Sequence, residues 1–82
     1  MWQIKFSDEA ASYAIDSHPY NEGVLMAIED LAHTIDGVAR VGRINYDASS
    51  GFYKWFVAQH MVAYEIISEE DQLYIWVIKP LK

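Results

Sequence analysis

The chain has no cysteine, which excludes a disulfide framework and a thiolate metal site and fits a reducing compartment. Cations are scarce: six Lys and Arg stand against twelve Asp and Glu, for a formal net charge of −6. Proteins that grip nucleic acid by neutralising phosphates usually carry the opposite balance, so such a role here would have to rest on one local basic patch. No apolar run approaches the length that crosses a bilayer. Met1 to Phe6 carries no apolar h-region, from which we expect no secretory signal. A cytoplasmic protein is the expectation. Repeats, linkers and low-complexity tracts are also missing, and 82 residues make a single domain, 1–82. A domain of this size buries only a modest part of its unfolded surface. The composition compensates, with 52% hydrophobic and 15% aromatic residues.

Periodicity gives the elements. Trp2 to Phe6 alternates apolar and polar, as a half-buried strand does, with Trp2, Ile4 and Phe6 inward. Ser7 or Asp8 then suits a helix N-cap, and Asp8 to Ile15 reads as a short helix with Glu9 near its positive end. Asp16 to Pro19 breaks it. From Tyr20 to about Thr34 the apolar positions Val24, Leu25, Ile28, Leu31, Ala32 and Ile35 form the stripe of an amphipathic helix, closed by Asp36-Gly37. The period then changes to two. Val38 to Tyr46 is a ragged strand interrupted by Gly42. Phe52 to Ala58, Met61 to Ser68 and Leu73 to Ile78 are strongly β-prone, with a tight turn at Gln59-His60 and an acidic hairpin tip at Ser68 to Gln72. The expected class is α+β. We read the order as β-α-α-β-β-β, an antiparallel sheet of hairpin-connected strands with two helices packed on one face.

Two stretches of this order carry a resemblance. One is Phe6-Ser7-Asp8-Glu9-Ala10, followed by a Pro-containing break and Ala27-Ile28-Glu29-Asp30-Leu31. The other runs from Phe52-Tyr53-Lys54-Trp55-Phe56-Val57 through Val62-Ala63-Tyr64-Glu65-Ile66 to Leu73-Tyr74-Ile75-Trp76-Val77-Ile78. Over most of its length the chain resembles the RelE/ParE toxin superfamily of toxin–antitoxin and plasmid-stabilisation systems. The resemblance implies a cognate antitoxin as partner. It implies one of two targets: the ribosome and its mRNA, cleaved without a metal, or DNA gyrase. No cofactor is implied. Lys54 matches a basic position of the family, and Lys79 is a remnant of its basic C-terminal tail. Phe56 stands where the family often has a second basic residue, and Met61 where RelE-type members carry a charge-stabilising arginine. Metal-free RNA cleavage needs in-line positioning, a proton acceptor, a proton donor and cations at the developing phosphorane charge. Each lost group costs on the order of 10²–10³-fold.

The candidate catalytic set is therefore Lys54 for phosphate, His60 for proton transfer and Arg43 for charge stabilisation. His60 is read at the turn beside Met61, facing a substrate; its plainer reading is an exposed turn histidine. Arg40, Arg43, Lys54 and Lys79 are either one basic patch or scattered solubilising charge. His18 and His33 have no ligand partners at metal-binding spacing, so no metal site is expected. Strand parity divides the sheet. Tyr53, Trp55, Val57, Val62, Tyr64 and Ile66 look like the helix-packed side; Lys54, Phe56, Ala58, Met61, Ala63 and Glu65 look like the open side. The last strand gives the open side either Tyr74, Trp76 and Ile78 or Leu73, Ile75 and Val77. An apolar open face centred on Phe56 and Met61, with Lys79, is the candidate binding surface. It makes a non-catalytic protein-binding or homodimerisation module the alternative to the toxin.

Overall fold

The computed structural model describes residues 1–16 and 21–81. The chain runs β1 (Gln3–Phe6), α1 (Asp8–Ile15), α2 (Asn21–Leu31), β2 (Arg43–Asp47), β3 (Phe52–Val57), β4 (His60–Ile67), a single 3₁₀ turn (Ser68–Glu70) and β5 (Gln72–Pro80). The α+β class is as expected. All four β-prone segments after the helices form strands, one more than the order β-α-α-β-β-β holds, so the order is β-α-α-β-β-β-β. The sheet is also mixed, in the order β1-β5-β4-β3-β2, with β1 parallel to β5 and every other pair antiparallel. The crossover through both helices carries the chain from β1 to β2 at the opposite edge, and the β2-to-β5 meander then returns to lay β5 parallel to β1, so the sheet is not the wholly antiparallel one expected.

Local chemistry sets the helix ends. Ser7 caps α1, its hydroxyl accepting from the Ala10 amide at 3.1 Å while donating to the Trp76 carbonyl at 2.6 Å. The break at Ser17 to Pro19 and the start at Tyr20 lie outside the described residues. Across that gap Asn21 ties the helices together, its amide nitrogen donating to the carbonyls of Tyr13 at 2.6 Å and Asp16 at 2.7 Å. The far end of α2 falls short of Thr34. The amides of Ala32, His33 and Thr34 bond to carbonyls three residues back, tightening the helix out of α geometry. Ile35, counted on the buried stripe by periodicity, therefore leaves it and is 95% exposed.

The ragged segment resolves into a loop and a short strand. Gly42 has φ +77°, outside the extended region, so β2 begins only at Arg43. A side chain at Gly42 would sit 2.4 Å from the Phe56 carbonyl oxygen, which is why this loop can lie flat over β3. Gly37, at φ +78°, lies against the Leu73 side chain, 2.9 Å from where a Cβ would stand, and its carbonyl accepts from the buried Tyr64 hydroxyl at 2.8 Å. Burial pushes the Tyr64 phenol well above its ordinary range.

The β3–β4 turn is shifted from its expected place. It consists of Ala58 and Gln59, with φ of 50° and 62°, and His60 is already in β4. Two consecutive positive φ values mark the primed turn that matches sheet twist, a geometry that favours Asn-Gly. Neither Ala nor Gln adopts it freely. Replacing Gln59 by glycine should stabilise the domain by about 0.5–1 kcal/mol and raise its melting temperature by roughly 2–8 °C, read by thermal circular dichroism. The Gln59 carbonyl, which accepts from Leu81, is unaffected by this change.

The core fills the space between helices and sheet. Ala10, Val24, Ile28 and Leu31 from the helices meet Trp55, Val62, Tyr64, Leu73, Ile75 and Ile78 from β3 to β5. The helix-packed side of β3 and β4 is the predicted one. In β5 neither expected set survives intact. The register shifts between Ala63 and Tyr64, which pair with Val77 and Ile75, so Trp76 is an extra residue. Leu73, Ile75 and Ile78 point into the core, and Tyr74, Trp76 and Val77 are left on the open side. No helix among the described residues is long and apolar enough to cross a membrane.

Candidate functional site

The helices cover one side of the sheet, and the other side is the open face. Its centre is one row running across four strands. Arg43 in β2 pairs with Phe56 in β3, Phe56 with Met61 in β4, and Met61 with Lys79 in β5. Four of the six residues singled out from sequence thus form a single line, with two apolar side chains in the middle and a cation at each end. Arg43 lies over the Phe56 ring, its guanidinium carbon 4.9 Å from the centroid. Lys54 belongs to the adjacent row, between Asn45 and Ala63.

Beyond these rows lies an aromatic step. Phe52 stacks on Trp76 with centroids 5.4 Å apart, and Trp76 meets Tyr74 at 4.5 Å. The Trp76 indole donates to Glu65 Oε1 at 3.1 Å, holding that carboxylate beside the rings. Tyr74 pairs on its other side with Lys5 of β1. Phe52 and Lys5 were not chosen from the sequence. Parity placed Glu65 on the open side and offered Tyr74 and Trp76 as one of two sets, with Ile78, which the bulge turns into the core.

Charge is sorted between the two sides. Lys5, Arg43, Lys54 and Lys79, four of the chain's six Lys and Arg, share the open face, against Asp47 and Glu65 alone among its twelve carboxylates. Both carboxylates are engaged. Glu65 is held by Trp76, and hydrogen bonds from the Ser49 hydroxyl and amide keep the Asp47 carboxyl below its ordinary value. Among the described residues none of the four cations is in an ion pair. Of the four residues read as one patch or scattered charge, Arg43, Lys54 and Lys79 lie on this face, spread across β2, β3 and β5. Arg40 is not on it: it sits on the loop before β2, forked onto the Asp36 carboxylate at 3.1 Å through one nitrogen.

His60 does not join Lys54 and Arg43. It shares the side of Val62 and Tyr64, facing the helices, and is 2% exposed, so it is neither a substrate-facing group nor a solvated turn residue. Its Nδ1 lies 2.7 Å from the Ala58 carbonyl, and its Nε2 lies 2.7 Å from the Tyr13 hydroxyl on α1. A carbonyl only accepts, so Nδ1 carries a proton, and in the neutral ring Nε2 accepts from the tyrosine. The imidazole thus pins α1 to the turn-side end of β4.

His18 lies outside the described residues, and His33 borders a shallow cleft of about 430 Å³ with Met1, Trp2, Thr34, Ile35 and Asp71. No group of metal-ligating side chains converges among the described residues. No protein-family model, curated protein or solved structure matches the chain.

Proposed function

We propose that this chain is a RelE/ParE-like domain that works by docking a partner protein on its open sheet face. One observation carries the reading: the row Arg43–Phe56–Met61–Lys79 joins an apolar centre to two free cations, while His60 lies on the far side of the sheet. The partner that complements it is an amphipathic acidic segment, with apolar side chains over Phe56, Met61 and Trp76 and carboxylates against Lys5, Arg43, Lys54 and Lys79. A cognate antitoxin is such a segment. Titration calorimetry with a synthetic peptide carrying leucines on one flank and glutamates on the other tests this. The peptide binds, binding weakens as salt is raised, and a version with lysines for glutamates does not bind. Failure of both peptides to bind would overturn the reading.

A second reading is favoured by the gathering of Arg43, Lys54 and Lys79 on that same face. On it the chain is a RelE/ParE-like toxin of a toxin–antitoxin pair, acting as a metal-independent, ribosome-dependent mRNA endonuclease or a gyrase poison. Tightly controlled induction in a bacterial host separates the two. Docking alone predicts unimpeded growth despite abundant folded protein. Growth arrest relieved by Lys54→Ala, with folding intact, would put the toxin ahead. His60→Ala is uninformative about chemistry unless folding is checked, because it also removes the contact with Tyr13.

A further inference from the structure

The sheet has two edges, and they are not alike. At the β1 edge the strand is four residues long, and the Trp2 amide just before it is taken by the Ala32 carbonyl beyond α2. At the other edge β2 bonds only to β3. Its register is unbroken over five residues, and its sequence, Arg-Ile-Asn-Tyr-Asp, holds no proline and no lysine. Natural sheets blunt open edges with proline, charged residues, bulges or a covering element, because an undefended edge templates another strand; on β2 the only charges are Arg43 and Asp47, opposite in sign and at its two ends.

We propose that β2 pairs antiparallel with β2 of a second copy of this chain, about a two-fold axis at Asn45. The strand is complementary to itself in that register. Arg43 of each copy stands opposite Asp47 of the other, on the open-face side, so the two-fold generates two opposed charge pairs. Ile44 of each copy stands opposite Tyr46 of the other, on the helix side. Tyr46 is 57% exposed on its own chain, where it leans on Tyr53 with centroids 4.8 Å apart. Val41, 59% exposed just before the strand, extends this apolar strip. Sliding the pairing by two residues sets Arg43 against Asn45 and loses both charge pairs. The axis stands perpendicular to the sheet, so the two open faces lie on the same side of a continuous ten-stranded sheet. This assembly rests on the β2 edge, although Arg43 also ends the open-face row.

Edge pairing over five residues is a small interface, so the dimer dissociates on dilution. Sedimentation velocity over a concentration series reads this directly. The wild type passes from the 9.5 kDa chain to twice that mass as concentration rises. Arg43→Asp sets like charges opposite one another and weakens the dimer by about 10–100-fold; Arg43→Asp with Asp47→Arg restores it. Asp47 also holds Ser49 in the following turn, so the double variant is checked for folding by circular dichroism. Should it not fold, Tyr46→Lys, at an exposed position, decides by placing a charge on the apolar strip and giving monomer. Hydrogen exchange adds a readout without mutation: outward amides of β2 gain protection as wild-type concentration rises. A monomer at every concentration overturns the proposal. So does a dimer that tolerates both Arg43→Asp and Tyr46→Lys, or one that breaks with Phe56→Asp and not with Arg43→Asp, which would move the contact to the open face.

Discussion

Trp55→Ala should unfold the domain at temperatures where the wild type is stable. Trp55 is 1% exposed at the centre of β3, its indole donates to the Val41 carbonyl at 2.7 Å, and its ring meets Tyr64 edge-on at 6.0 Å. Truncating a buried tryptophan costs about 3–5 kcal/mol, from lost burial and the cavity left behind. A domain of this size has on the order of 4–12 kcal/mol in total. The expected fall in melting temperature is about 15–30 °C. The loss has a second part. The loop before β2 lies against Trp55, with the ideal Cβ position of Gly42 only 3.1 Å from the indole nitrogen. Without the indole that loop loses its anchor and β2 its start. Trp55→Phe, which keeps most of the volume and loses only the hydrogen bond, should cost much less. A fall of under about 5 °C for the alanine variant would mean that Trp55 does not organise the core.

Trp76→Ala should have the opposite profile, with a large effect on binding and a small one on folding. Trp76 is 37% exposed, so its truncation opens no internal cavity, yet it touches Phe52, Tyr74 and Glu65 on the open face. Aromatic residues at the centre of an interface commonly carry about 2–4 kcal/mol of its energy. The acidic peptide should therefore bind about 30–1000-fold more weakly. Met26→Ala is the control, a truncation of an exposed apolar residue on α2, away from the open face. Equal losses from both variants, or none from Trp76→Ala, would remove the open face as the docking surface.

Much of this architecture could be read from residue order alone, and the failures have definite causes. Within the strands the parity of β3 and β4 separated core from open face, but Ala58, counted on the open side, is in the turn and lies against Gly23 of α2. The same rule failed in β5, where the extra residue at Trp76 is invisible to periodicity and set by how β4 pairs with it. Leu31 and Ile35 fit one helical stripe in sequence, yet the backbone leaves α geometry between them, so only Leu31 is buried. The direction of β1 was not legible either, since nothing local says which strand it will join. At the candidate site, Arg43, Phe56, Met61 and Lys79 were found as types of residue; that they make one row is a matter of register, which depends on the turns. His60 was misplaced by a single residue of turn assignment, enough to move it to the other side of the sheet.

The pairing of β1 with β5 also constrains how the protein comes into being. In this sheet β1 pairs with β5, the strand furthest from it along the chain. Ser7, the cap of α1, reaches the Trp76 carbonyl across 69 residues of chain. Until β5 is made, α1 has α2 to pack against but β1 has no strand to pair with, and its half-buried edge stays open. The hairpins from β2 to β5 can zip locally, but the N-terminal unit docks only once the C-terminal strand is complete. Such distant closure slows folding and lengthens the time for which sticky segments are exposed. A nascent chain halted before β5 would therefore be an unfinished sheet with no first strand in place, and the working face, which takes Lys5 from one end and Tyr74, Trp76 and Lys79 from the other, exists only after the last residues of β5 have been made.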